Sequence, residues 1–221
     1  MNFYKTNESK IHEEFSKRGS TLINESIYYL NKSKSKYVSV GFGLDRKYKP
    51  VIKLGGIKNN QNIILNEDQW ISFLNNEGIM MNFLFSNSFG FLPIQAKGFE
   101  IHFIFINDVR VIKLVQEGGH EVYLAEDSLN NLMKITALIK YRFDLLKNQD
   151  FANYYNILVS GISTKNGDLI QNVYDIILPL TNINSLNVCC VLELLNFYSD
   201  CIIEDVEAFA CDAFVKSCIG K

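Results

Sequence analysis

No apolar run in the 221 residues approaches eighteen, and the first fifteen residues are polar and mixed in charge. Neither a membrane span nor a secretory leader is therefore expected. Metal-ligand spacing is missing as well. The five cysteines, at 189, 190, 201, 211 and 218, form no C-x-x-C pair, and His12, His102 and His120 are remote from them in sequence. That pattern predicts no metal site. An odd number of thiols without a leader fits a reducing compartment, nucleus or cytoplasm. The chain has no glycine loop for phosphate and no paired acids suited to metal-dependent nuclease chemistry, and G-F-G-L-D at 41–45 is too short for a dinucleotide fingerprint. No catalytic residue, cofactor or enzymatic activity is expected.

What the chain has is an uneven charge. A formal net charge of -2 combines a +7 stretch at 31–60, where eight basic side chains stand against Asp45 alone, with a -6 stretch at 149–221. Each part attracts different partners. Hydrophobic residues make up 48% of the chain, with sixteen Phe and eleven Tyr against one Trp, enough to build a core and to supply flat rings for stacking.

The chain also writes one phrase twice. V-I-K-L at 51–54 returns at 111–114, sixty residues on; each is followed by a polar turn with glycine or asparagine, a short run ending in Leu65 or Leu124, and an acidic helix start. Asn66 with Gln69 forms a capping-box pattern, and Trp70, Phe73 and Leu74 then share a helix face. The second helix begins near Glu126, turns Leu129, Leu132 and Ile139 inward, and runs to about Leu146. Upstream, Val38, Val40 and Phe42 alternate with Ser39 and Gly41 as a half-buried strand does, and Phe99, Ile101, Phe103 and Phe105 do the same. Residues 8–31 read as a helix, and 151–162, 168–178, 183–198 and 200–218 as further helices. The expected fold is α+β: an N-terminal helix and connector at 1–36, tandem sheet-plus-helix units at 37–82 and 98–148, and an acidic helical region at 149–221.

The segment G-I-K-N-N-Q-N-I-I-L-N-E-D-Q-W-I-S-F-L, with Leu65, Asn66, Gln69 and Trp70 as its signature, resembles the end of the single-stranded DNA-binding domain of the transcriptional positive cofactor four family. The likeness covers 37–80 closely and 98–146 more loosely. It implies curved antiparallel sheets whose basic and aromatic side chains hold single strands, and a pseudo-dimer of the two units within one chain. By position it points to Arg46, Lys47, Lys49 and Lys53 as the basic strand and turn material and to Trp70 as the helix anchor. The second copy departs from the pattern, with Ala125 in place of Asn66, Leu129 in place of Trp70, and only Arg110 and Lys113 as strand cations.

Single-stranded nucleic acid asks for cations along phosphate and rings against bases. The expected interface is therefore Lys36, Tyr37, Arg46, Lys47, Tyr48, Lys49, Lys53, Lys58, Arg110 and Lys113, with Trp70, Phe73 and Leu129 as structural residues. If Ile52 and Leu54 point inward, Lys53 faces out, the favoured choice because a lone buried ammonium is expensive. The expected function is non-catalytic binding of single-stranded DNA, in preference to RNA, with little sequence preference, in transcription or replication; the Asn-, Lys- and Ile-rich wording points to an AT-rich genome, viral or cellular. The competing expectation is a structural or protein-interaction module. In either case the apolar, acidic segment 180–218 is expected to associate with itself or with a protein partner.

Overall fold

The computed structural model describes residues 21–44, 47–56, 61–86, 90–180 and 185–219. Two antiparallel four-stranded sheets are each followed by a pair of helices. The first sheet runs in the order β1 (Leu22–Tyr29), β2 (Lys36–Gly43), β3 (Pro50–Gly56) and β4 (Asn62–Leu65). The second repeats it with β5 (Ile94–Ala96), β6 (Phe99–Ile106), β7 (Val109–Gln116) and β8 (His120–Ala125). Strand register explains the core. Val38, Leu54 and Ile63 form one inward row and Val40, Ile52 and Leu65 the next. Ile101, Leu114 and Val122 do the same in the second sheet, and all nine side chains are buried. Period-two alternation then sends Lys53 and Lys113 to the opposite faces, as the sequence predicts.

Helices α1 (Glu67–Asn75) and α2 (Glu77–Phe85) follow β4, and α3 (Glu126–Lys134) and α4 (Thr136–Lys147) follow β8. The helix expected from Glu126 to about Leu146 is broken at Ile135 (φ -108, ψ 10), and the first copy is broken in the same way at Asn76 (φ -97, ψ 5), the two breaks fifty-nine residues apart like the two leucines before them. Asn66 caps α1 through the full capping box, whereas Ala125 makes no side-chain cap. Trp70 and Phe73, stacked with ring centroids 5.4 Å apart, and their counterparts Leu129 and Leu132 are buried.

The copies engage each other reciprocally. Ser72 of α1 accepts a bond from the backbone N–H of Lys97 in the β5–β6 turn, at 3.3 Å; Asn131 of α3 donates to the carbonyl of Leu30 beside the β1–β2 turn, at 3.0 Å. The second helix of each pair also reaches the other sheet. Arg110 of β7 donates to the Phe83 carbonyl in α2, and Arg142 of α4 donates to Asn24 in β1, with its carbonyl oxygen and Oδ1 both accepting. At the sheet junction the Gln116 side-chain amide closes on both the N–H and the C=O of Ile64, at 3.2 and 2.9 Å, taking the place of a strand partner.

Two sequence expectations are corrected. Residues 22–29, read as part of an N-terminal helix, are an edge strand, so the first sheet begins at Leu22 and the 1–36 boundary falls inside it; 8–20 lie outside the described residues. The cause is a bulge. Asn24 takes φ 52°, one extra residue enters between Ile23 and Ser26, and the apolar positions fall at 23, 27 and 30, imitating a helical stripe. Gly41 faces the bulge, where an added Cβ would lie 2.8 Å from the Ile23 carbonyl oxygen. The second correction concerns the boundary at 149. The chain divides into two compact units, one from the described residues of 1–45 and 50–145, the other from 46–49 and 146–221. The short segment carrying Tyr48 thus belongs with the helices.

That second unit holds α5 (Phe151–Ser163), α6 (Leu169–Ile177), a 3-10 turn at Leu178–Leu180, α7 (Ser185–Phe197) and α8 (Ser199–Ile219), close to the expected helices. Tyr48 packs edge-on against Phe151 and Tyr155, with centroids 5.3 and 4.6 Å away, and both tyrosine hydroxyls donate to Asp205 Oδ2. Burial pushes both phenols far above their ordinary pKa, so the donors stay protonated. Leu186–Phe197 and Ser199–Asp212 meet at 102°, and among the described residues no single helix is long and apolar enough to cross a membrane.

Candidate nucleic-acid interface

The outward face of the first sheet is set by the pleat. Ile27, Ser39, Lys53 and Ile64 align across it, and beside them Tyr29, Tyr37, Gly55 and Asn62. Tyr37 lies flat over the backbone because its cross-strand partner is Gly55: any side chain there would collide with the ring. Lys53 Nζ is 5.8 Å from the Tyr37 centroid, and Lys34 Nζ, from the β1–β2 turn, is 5.3 Å from that of Tyr29. Tyr29 is 53% exposed.

The second sheet presents His102, Lys113 and Tyr123 in one row and Glu100, Val115 and Glu121 in the next. Lys113 Nζ is 5.6 Å from the Tyr123 centroid, and Lys36 of the first sheet approaches the same ring at 5.9 Å. Tyr123 therefore carries ammonium groups from both sheets. Lys36 also donates to Gln61 Oε1 at 3.2 Å.

Each central lysine has a carboxylate partner. Glu25, displaced onto this face by the bulge, lies 3.9 Å from Lys53 Nζ and accepts from the buried Ser39 hydroxyl. Glu121 lies 2.7 Å from Lys113 Nζ and accepts from the Tyr123 hydroxyl. Hydrogen bonding to Lys113, then to Tyr123, holds the Glu121 carboxyl below its ordinary pKa, and the bond to Glu121 raises both partners. His102 pairs with Glu100 at 2.8 Å.

The structure thus gathers four of the expected residues, Lys36, Tyr37, Lys53 and Lys113, onto or beside the two outward faces. Lys47 and Lys49 are exposed in the segment before β3. Arg46 and Lys58 lie outside the described residues. Two expectations do not hold. Tyr48, only 4% exposed, is a core residue of the helical unit and presents no ring to a base. Arg110 falls on the core-facing parity of β7 with Phe105, its guanidinium 5.0 and 5.1 Å from the Phe83 and Phe105 centroids, so it joins α2 to the second sheet. Sequence reading missed Tyr29, Tyr123, Glu25 and Glu121. The alternation of Val122 and Leu124 around Tyr123 carried that signal; nothing comparable marked Tyr29 or Glu25, because the bulge conceals the strand.

Among the described residues no group of three His, Cys, Asp or Glu side chains is placed to hold a metal ion. Comparison with protein-family models, with curated proteins and with solved structures returned no match for this chain.

Proposed function

We propose that this chain binds single-stranded nucleic acid, DNA in preference to RNA, without catalysis and with little sequence preference, as the likeness to the positive cofactor four domain implies. The observation that carries the reading is the pairing of lysine with tyrosine on the outward faces: Lys34 with Tyr29, Lys53 with Tyr37, and both Lys36 and Lys113 with Tyr123. Ammonium groups beside rings on one sheet surface are what phosphates and unpaired bases require.

The test is a salt titration with labelled single-stranded DNA, duplex DNA and single-stranded RNA of matched length. Saturable binding is expected, strongest for single-stranded DNA. Replacing Lys36, Lys53 and Lys113 with Gln should weaken it and flatten its salt dependence by about 0.7 in log-log slope per lost phosphate contact. Tyr37→Ala and Tyr123→Ala should each cost about 1–3 kcal/mol if a base stacks there. No saturable binding at low salt defeats the proposal, and a preference for duplex rejects the stacking mechanism.

The second reading, a protein-interaction module, is favoured by a separate observation. Phe197, 73% exposed, with Ile203 and Phe209, lies uncovered on α7 and α8 of the acidic unit. Apolar surface framed by negative charge suits a protein partner or a second copy better than a polyanion.

A further inference from the structure

The two sheets hold their central lysines in the same way with residues that are not equivalent. In the first, the carboxylate comes from β1 and the ring from β2; in the second, β8 supplies both. The repeated V-I-K-L motif therefore accounts for the lysines but not for what surrounds them. A lysine kept only for sheet solubility has no need of a carboxylate, and each pair is partly shielded from water, with side-chain exposures of 12% and 23% for Lys53 and Glu25, and 27% and 33% for Lys113 and Glu121. Neither glutamate is fixed by the lysine alone. Ser39 donates to Glu25, and Tyr123 donates to Glu121.

We infer that Glu25 and Glu121 are resident competitors for nucleic-acid phosphate at Lys53 and Lys113. The inference rests on the nucleic-acid reading above. A carboxylate and a phosphate oxygen make the same charge-assisted bond to an ammonium. An incoming phosphate must displace the glutamate, so each contact yields only the difference between two similar bonds. One phosphate gains little; a strand crossing both sheets gains the sum. The device sets a threshold that one contact does not pass and the summed contacts of a long strand do, and it keeps the lysines neutralised when no strand is bound.

The experiment compares wild type with Glu25→Gln, Glu121→Gln and the double variant, using the full chain, labelled oligo(dT) of several lengths and a thermal melt of each protein. Gln keeps an acceptor for the Ser39 and Tyr123 hydroxyls while removing the charge. Each replacement should tighten binding about two- to five-fold, the range of a partly exposed ion pair, and the double variant should gain most on oligomers long enough to reach both sheets. Glu117→Gln, in the β7–β8 turn, controls for the general loss of a negative charge. Glu121→Gln made in a Lys113→Gln background should lose its specific gain. Unchanged or weaker binding in folded Glu121→Gln, or a gain no larger than that of Glu117→Gln, overturns the inference while leaving nucleic-acid binding intact. Absence of binding by wild type removes the proposed function itself, and the inference with it. If Glu25→Gln fails to fold, Glu121→Gln decides alone.

Discussion

Glu121 is the residue whose charge can be read most directly in stability. Its folded-state pKa lies below the ordinary 4.5 and that of Lys113 above the ordinary 10.5. The depressed carboxyl therefore contributes stability that is complete above pH 4.5 and lost as pH falls through the folded value. The raised lysine contributes below pH 10.5 and loses its contribution as pH climbs through the folded value. Urea unfolding of wild type and Glu121→Gln should differ most between those limits and converge as pH falls through the folded value of Glu121; a constant difference would show that the pair contributes no linked stability. Trp70 is decided by packing. With 5% of its surface exposed and Phe73 stacked on it, Trp70→Ala should cost about 3–5 kcal/mol in unfolding free energy, and should leave the proposed nucleic-acid binding per folded molecule unchanged. Period two was enough to read Lys53 and Tyr37 as outward residues. Tyr48 was illegible because its backbone turns left-handed, at φ 45°, and leaves the alternation altogether. The lysines near Tyr123 come from cross-strand register and from the other sheet, which adjacency along the chain does not reveal.

Among elements, the duplicated helix starts supply their own experiment. Asn66 and Ala125 have nearly the same backbone, φ -76, ψ 177 and φ -81, ψ 174, yet only Asn66 caps its helix. Asn66→Ala should destabilise by about 1 kcal/mol and Ala125→Asn should stabilise by a similar amount, since the extended conformation that an N-cap needs is already present. Opposite shifts in the urea midpoint are the expected outcome, and a destabilised Ala125→Asn would mean that the side chain cannot reach the Ser128 N–H. The same comparison explains what local sequence could and could not tell. Strands β2 to β4, β6 to β8 and the C-terminal helices follow from periodicity and caps. The breaks at Asn76 and Ile135 do not, because neither position carries proline or glycine; the hydrogen bonds beside them, from Asn76 to the Ser72 carbonyl and from Thr136 to the Met133 carbonyl, are local. Strand β1 was hidden by a single extra residue, which turned a period of two into an apparent period near 3.6.

For the whole molecule, the uncovered apolar side chains of the last two helices are testable in solution. Phe197, Ile203 and Phe209 leave the acidic helices with uncovered hydrophobic area, so sedimentation of the full chain should show concentration-dependent association that Phe197→Asp with Phe209→Asp abolishes; a constant monomer mass would leave only a different protein as partner. The two tyrosines that meet over Asp205 raise a different matter, that of timing. Asp205 follows Tyr48 by 157 residues, so while the chain is being synthesised both sheets can emerge and pair long before the last helix exists. Until then the Tyr48 and Tyr155 hydroxyls lack their shared acceptor, and Tyr48 has a backbone in a conformation that a bulky residue adopts only when its surroundings hold it there. The helical unit is thus assembled around a residue delivered in advance, and a chain interrupted before α5 carries an aromatic ring without its neighbours that a chaperone or protease can recognise as the sign of an unfinished molecule.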